Sequence, residues 1–373
     1  MISTPFRGGI MKNPISVSQF FFIFLISTGL SNHVLVIPLL IDAAGRDAWI
    51  SVFVGYFISI PILLLMVYVT KHFKSISIFE WLETNYNKAF RRIIAVLISI
   101  FLFITGFITL KETVTWTHET YLQDTPMLVV GISILATSLY ISYGKLNVIA
   151  ICAGVLLPFV VLFGLLVTIG TIPNKNYSLI TPVLVENGWV DIINGSIFVF
   201  GSLLEIFLLI MIQHEIARRV TFKHILLLSF FLFILTLGPL IGSIAVFGAD
   251  EAGRLRYPAF LQWRILNIGQ YFNHVDFLSI YQWLSGSFIR LALILYLITR
   301  AFPFKKKKQR IIAQAIICIL YLMLVLAPIS DEHFSLFLKD YFYPGTGAFA
   351  VVMILFLTLL IKTSKNGMET DEK

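Results

Sequence analysis

Glu205 and Arg290 are the two residues whose surroundings most call for chemistry. Each lies about 13 to 14 residues into a long apolar run, roughly 20 Å from its start at 1.5 Å per residue. An ionisable group at that depth in a bilayer costs about 2.5 to 3.5 kcal/mol on insertion scales, so each needs a partner or a purpose. Two readings fit. The carboxylate and the guanidinium form a structural ion pair between helices, or they share a water-filled cavity beneath a ligand, where Glu205 can also accept a proton. A second chemistry is offered by small and hydrogen-bonding residues in the middle of apolar runs: Ser27-Thr28-Gly29-Leu30-Ser31-Asn32 in the first, and Phe200-Gly201-Ser202 in a later one. Lipid offers no partners to freed backbone, so a helix that unwinds at such a place does so only against protein or a wet cavity. The plainer reading is that Gly29 and Gly201 let helices approach closely.

Other polar residues read less specifically. Lys111 and Glu112 fall near the end of their run and are expected to snorkel to the interface. His33 and Asp276 sit in the outer third or at a rim, with helix-end contacts as the default. Neither H-E-x-x-H nor another metal spacing occurs, and there is no Walker loop and no G-x-S-x-G elbow. No cofactor, metal or catalytic residue is indicated, and the chain is not expected to be an enzyme. Cys152 and Cys318 each lie inside an apolar run and read as packing residues.

The elements that must position these residues are transmembrane helices. Of 373 residues, 58% are hydrophobic and 13% charged, against roughly 25% charged in soluble domains. Ten spans are expected, at 17 to 40, 47 to 70, 93 to 117, 126 to 142, 146 to 171, 192 to 213, 222 to 247, 276 to 301, 310 to 328 and 343 to 362. The first lacks a short h-region with a cleavage site and is not read as a removable signal. The formal net charge of +8 does not imply nucleic acid, because the basic residues sit in short loops. Only Arg46, Lys175, Arg254, Arg256, Arg264 and Lys339 fall at one set of span ends; apart from Lys111 and Arg290, every other Lys and Arg lies at the opposite set. By the positive-inside rule both termini are cytoplasmic.

Two loops are expected to carry short helices. One follows Ser77-x-x-Glu80, with Phe79, Leu82, Tyr86 and Phe90 at helical spacing. The other starts at Pro258, with Leu261, Ile265, Ile268 and Phe272 as its apolar stripe. The segment 363 to 373 is polar and expected to be disordered.

Ten spans divide into five and five, and an odd number per half inverts the second half in the membrane. Repeat one then covers about 17 to 171 and repeat two about 192 to 362, within a single transmembrane domain. Gly29, counted from one face, and Gly201, counted from the other, both fall near the midplane. The all-α fold expected is therefore a five-plus-five inverted repeat with spans 1 and 6 broken.

Several stretches carry a family resemblance: Ile15-Ser16-Val17-Ser18-Gln19-Phe20 followed by Gly29 and Pro38; Ala44-Gly45-Arg46-Asp47-Ala48-Trp49-Ile50; Tyr257-Pro258; and His274-Val275-Asp276-Phe277-Leu278-Ser279-Ile280 leading to Trp283. Nearly the whole chain resembles the B subunits of endospore germinant receptors, the spore germination permeases of the amino acid, polyamine and organocation transporter superfamily. The resemblance implies a small germinant, most typically an amino acid, bound between spans 1, 3, 6 and 8. It also implies A and C partner subunits in the spore inner membrane. The ligand-binding residues expected are Thr28, Gly29, Leu30, Ser31, Phe200, Gly201 and Ser202: backbone N–H groups at Gly29 to Ser31 toward a carboxylate, and carbonyls near Phe200 and Gly201 toward an ammonium. The leading reading is a ligand sensor with a transporter fold, and its rival is a proton- or sodium-coupled amino-acid transporter. A ligand-gated water or ion pathway is a third.

Overall fold

The computed structural model describes residues 14–73, 76–267, 274–304 and 306–364. Among them the regular structure is helical, apart from one isolated parallel bridge between Ile15 and Ile216. The chain begins with α1 (Val17–Leu30), a π turn (Ser31–Leu35) and α2 (Val36–Ala44), then a 3-10 turn at Gly45–Asp47 and α3 (Ala48–His72). It continues through α4 (Ile78–Asn85), α5 (Lys88–Thr120), α6 (Met127–Ser142) and α7 (Leu146–Gly170). The remainder comprises α8 (Trp189–Leu204), α9 (Leu209–Ile212), α10 (Phe222–Phe247), α11 (Ala249–Arg254), α12 (Pro258–Arg264), α13 (Leu278–Ala301), α14 (Lys307–Val325), α15 (Asp331–Phe337) and α16 (Tyr343–Thr363).

Among the described residues, eight helical runs are long and apolar enough to cross a membrane. The first, Val17–His72, is 56 residues long and turns at Gly45, which takes φ 47° as only glycine does without strain. That turn is clamped from outside: Asp47 Oδ1 accepts from the Leu184 N–H at 3.1 Å, and Arg46 reaches the Thr181 carbonyl at 2.6 Å and Glu186 at 2.9 Å. The helix α6, at 16 residues, is shorter than a full span. Helices differ in how far they are enclosed. The run Trp189–Glu215 is 89% buried over its apolar window, whereas Leu146–Gly170 is only 17% buried and presents Val155, Leu162 and Leu165 outward. An all-apolar helix with its side chains exposed is what lipid tolerates and water does not.

Without a hydrophobic force between helices in lipid, close approach through small residues holds them together. At the α3–α8 contact an added Cβ on Gly55 would lie 2.7 Å from the Ser196 carbonyl oxygen. On the other side of α8, a Cβ on Gly201 would collide with the Tyr343 carbonyl oxygen of α16.

Span 1 does not break at Gly29. The α-helix continues through it to Leu30 and widens one residue later into the π turn. The Ser31 N–H reaches the Thr28 carbonyl and the Val36 N–H reaches the Ser31 carbonyl, so these amides are not free for a carboxylate. The lack of a side chain at Gly29 serves packing, since an added Cβ would lie 2.9 Å from Leu235 Cδ2 of α10. Nor does the later run break at Gly201. It stays α-helical to Leu204 and tightens into 3-10 turns at Glu205–Leu208 and Gln213–Glu215. The distortion thus begins at the charged residue, not at the glycine.

The two short loop helices form with shifted details. Ser77 Oγ caps α4 by accepting from the Glu80 N–H at 3.1 Å, and Phe79 and Leu82 are buried. Pro258 opens α12, but its buried face is Ala259, Phe260, Gln262 and Trp263 in place of the expected stripe. Ile268 and Phe272 of that stripe, and residues 365–373 of the polar tail, lie outside the described residues.

Candidate functional site

Arg290 of α13 and Glu205 meet in the middle of the bundle. Nη1 and Nη2 donate to the two carboxylate oxygens at 2.6 Å each, a bidentate pair with both residues almost wholly buried. Two more of its five donors are used as well: Nε to Thr109 Oγ1 of α5 at 2.9 Å, and Nη1 to the Ser27 carbonyl of α1 at 3.1 Å. One guanidinium therefore ties α1, α5 and the α8–α9 junction to α13. Short charge-assisted bonds backed by further hydrogen bonds are the condition under which a buried pair is tolerated.

A layer of neutral polar groups surrounds this pair. Asn32, in the π turn, is fully buried. Its Nδ2 donates to the Thr28 carbonyl at 3.0 Å, and its Oδ1 accepts from Ser202 Oγ of α8 at 2.9 Å and Thr236 Oγ1 of α10 at 3.2 Å. Ser31 Oγ and Tyr343 Oη lie 2.9 Å apart. Thr113 of α5 and Ser287 of α13 are in contact at 2.5 Å, and Trp283 Nε1 donates to Thr113 at 3.3 Å.

Of the expected ligand residues, Thr28, Gly29, Leu30, Ser31, Gly201 and Ser202 are buried and Phe200 is half-buried. The structure brings Ser202 to the π turn through Asn32. It does not bring the two glycines face to face, since Gly29 packs on α10 and Gly201 on α16. Asn32, inside the stretch already marked by its small and polar residues, is the residue that does the joining.

At one end of this layer lies a cavity of about 470 Å³. Val34 and Leu35 of the π turn form part of its wall, with Glu112, Arg256, Tyr257, Asp331 and Lys339 around it. The π turn therefore stands between the cavity and the polar layer: Val34 and Leu35 line the cavity, while Ser31 and Asn32 bond Tyr343, Ser202 and Thr236. Glu112 does not snorkel. It is 5% exposed, accepts from Tyr257 Oη at 2.8 Å and pairs with Arg256 Nη2 at 3.5 Å. Arg256 also pairs with Asp331 at the start of α15. Burial works against the Arg256 charge, but the acidic groups beside it, Glu112 foremost, outweigh it and its pKa is raised. Burial and then the Glu112 carboxylate push the Tyr257 phenol well above its ordinary range, so it remains the donor. No spacing rule could find this cluster, because its members lie 144 residues apart in the chain.

The opposite end of α1 is tied to the end of the Trp189–Glu215 run. The Ile15 N–H donates to the Glu215 carbonyl at 3.0 Å and the Ala217 N–H to the Ile15 carbonyl at 2.8 Å. Glu215 also accepts from Tyr296 Oη at 2.7 and 2.8 Å and pairs with Arg300 at 3.2 Å. Beside this bridge, Ser16 and Gln19 form a reciprocal capping box on α1.

Comparison with known proteins gives the family. Spore germination protein XB of Bacillus anthracis is 36% identical over 343 residues, covering 91% of this chain and 95% of that protein. The putative spore germination protein YfkT of Bacillus subtilis (strain 168) is 26% identical over 275 residues, covering 72% and 74% of the two chains. Residues 14–335 match the family of spore permeases described as spore germination protein. With its apolar helices and this match across most of its length, the chain is a membrane protein that belongs to the spore germination protein family.

Proposed function

We propose that this chain is the ligand-sensing membrane subunit of a spore nutrient germinant receptor and that it binds a small germinant, foremost an amino acid. One observation carries the reading: the cavity ends on a π turn whose far side is wired to the buried polar layer. Val34 and Leu35 line the cavity, while Asn32 and Ser31 of the same turn bond Ser202, Thr236 and Tyr343. A π turn inside an α-helix is a frequent mark of a functional position. A ligand held in the cavity bears on that turn and shifts the balance between two arrangements of the bundle, in proportion to its preference for one of them.

In this reading Thr28, Gly29, Leu30 and Ser31, with Phe200, Gly201 and Ser202, are the layer that responds to the ligand, and Glu205–Arg290 is the pin about which it moves. The wider frame is ten spans in a five-plus-five inverted repeat, made by dividing Val17–His72 at Gly45–Asp47 and including α6. Both termini face the cytoplasm, the membrane is the spore inner membrane, and A and C subunits receive the signal. The basic residues at the helix ends favour that orientation. Relatives named as spore germination proteins favour the process.

Gene deletion followed by germination of the spores on amino acids, sugars and nucleosides tests the reading. Loss of one nutrient response is expected, and unchanged germination on every nutrient would overturn it. Uptake of that nutrient into vesicles separates sensing from transport: saturable binding without accumulation is expected, and accumulation driven by an ion gradient would establish the transporter instead.

A further inference from the structure

We infer that Glu112 and Tyr257 form a subsite for the ammonium group of a small amine ligand, and that Arg256 occupies it as an internal cation while the ligand is absent. The inference rests on the sensing reading and adds to it the chemical group that is recognised and the residue that is displaced.

Four observations point the same way. Glu112 is a nearly buried carboxylate on the wall of a cavity of about 470 Å³, where an uncompensated negative charge would be expensive. Its compensation is uneven. Oε2 takes a good bond from Tyr257 Oη at 2.8 Å, but among the described residues Oε1 has only the Arg256 contact at 3.5 Å, well beyond the 2.7 to 2.9 Å usual for a charge-assisted bond. A carboxylate has about four acceptor positions, so room for a better cation remains. The place already suits a cation: the Arg256 guanidinium lies 5.2 Å from the centre of the Tyr257 ring, within cation–π range. That ring stands edge-on to Trp283, 5.1 Å away, and Trp283 is stacked on Trp116 at 4.2 Å, which fixes the aromatic wall.

Arg256 is also free to leave. Its side chain is 29% exposed, and its second partner, Asp331, is 52% exposed. An ammonium has three donors on a compact charge and can fill the gap at Oε1 while Arg256 moves outward and keeps Asp331. Asp331 opens α15, and α15 leads through the π turn Leu338–Phe342 to Tyr343, the partner of Ser31. Displacement of Arg256 is thereby coupled to the polar layer.

The test uses the full chain in lipid nanodiscs, with ethylammonium chloride and sodium propionate as probes and tryptophan fluorescence as the readout of the Trp116–Trp283 pair. Ethylammonium is expected to give a saturable change and propionate none. Glu112→Gln is expected to weaken the ethylammonium response at least tenfold. Arg256→Gln is expected to strengthen it at least threefold, because the competitor is gone; a misfolded variant cannot imitate that sign. Equal responses to the two probes, no ethylammonium response, an unchanged Glu112→Gln titration or a weakened Arg256→Gln titration would each overturn the subsite. If ethylammonium fails to bind while gene deletion still abolishes one nutrient response, the subsite falls and the sensing reading stands. If ethylammonium binds as expected but deletion changes no response, the sensing reading falls alone.

Discussion

Replacing Arg290 by leucine tests the organisation of the centre. The substitution removes two 2.6 Å bonds to Glu205 together with the donors to Thr109 and to the Ser27 carbonyl. Breaking a buried pair from one side leaves a charge without compensation and costs about 3 to 5 kcal/mol. The Ser27 carbonyl belongs to α1, and losing its donor loosens the turn that leads into Asn32. Replacing both members, Glu205→Leu with Arg290→Leu, removes the orphaned charge. The double variant is therefore expected to be less destabilised than the sum of the singles, with a coupling of about 2 to 3 kcal/mol. Unfolding in mixed micelles measures all four corners of the cycle, and limited proteolysis reports on the α8–α9 junction. A loss under about 1 kcal/mol for Arg290→Leu, or strict additivity in the cycle, would refute the view that this pair is the pin of the bundle.

Three further outcomes follow from other contacts. Gly29→Ala is expected to be neutral or stabilising by up to about 1 kcal/mol, because the helix is continuous there and the neighbouring Leu235 end can move; Gly201→Ala should cost about 1 to 3 kcal/mol, since its neighbour is backbone. Reversed signs in unfolding measurements would revive an unwound helix at Gly29. Asn32→Leu removes the bonds that join the π turn to Ser202 and Thr236, while both hydroxyls keep backbone acceptors at Val199 and Leu232; the cost should be about 0.5 to 1.5 kcal/mol, checked by thermal unfolding, with no loss counting against the junction. Tyr121, in the loop after α5, donates to the Asp276 carbonyl at 2.8 Å. Burial pushes its phenol up from 10.0 to about 12. A raised folded pKa means that the neutral phenol stabilises the fold, so this contribution is present below pH 10 and lost as pH rises toward 12. Spectrophotometric titration of Tyr121→Phe should lack one late-ionising phenol, and an unchanged titration curve would refute the assignment.

Much of the frame was legible because lipid leaves so few choices. Long apolar runs specify helices, and the depth of Glu205 and Arg290 alone demands that each find a partner. The character of the glycines was not legible, since a missing side chain serves unwinding and close packing equally well. Only Leu235 and the Tyr343 carbonyl, from other helices, decide between them. The burial of Glu112 is not legible, because its distance from the helix end says nothing of a loop that folds back over it with Tyr257 and Arg256. Asn32 stands inside the stretch marked by its small and polar residues, and a buried amide with three bonds is a stronger constraint there than the glycine.

The π turn Ser31–Leu35 also has a consequence for length. A π turn holds one residue more than the α-helical turn it replaces. The widened turn absorbs that residue, so the helix beyond it resumes in nearly the phase of an uninterrupted helix one residue shorter. Closing the turn to α geometry with all its residues kept would swing everything beyond it by about 100°. Pro38, Leu39 and Asp42 would then leave the cavity wall, and Asp42 would lose Lys339, now 2.6 Å away. The π turn thus keeps the rotational phase between the two ends of one helix, and the turn at Leu338–Phe342 does the same for the helical run opposite. Removal of one residue inside either turn is therefore the change of length these walls tolerate best, because the helix closes with both ends facing as before.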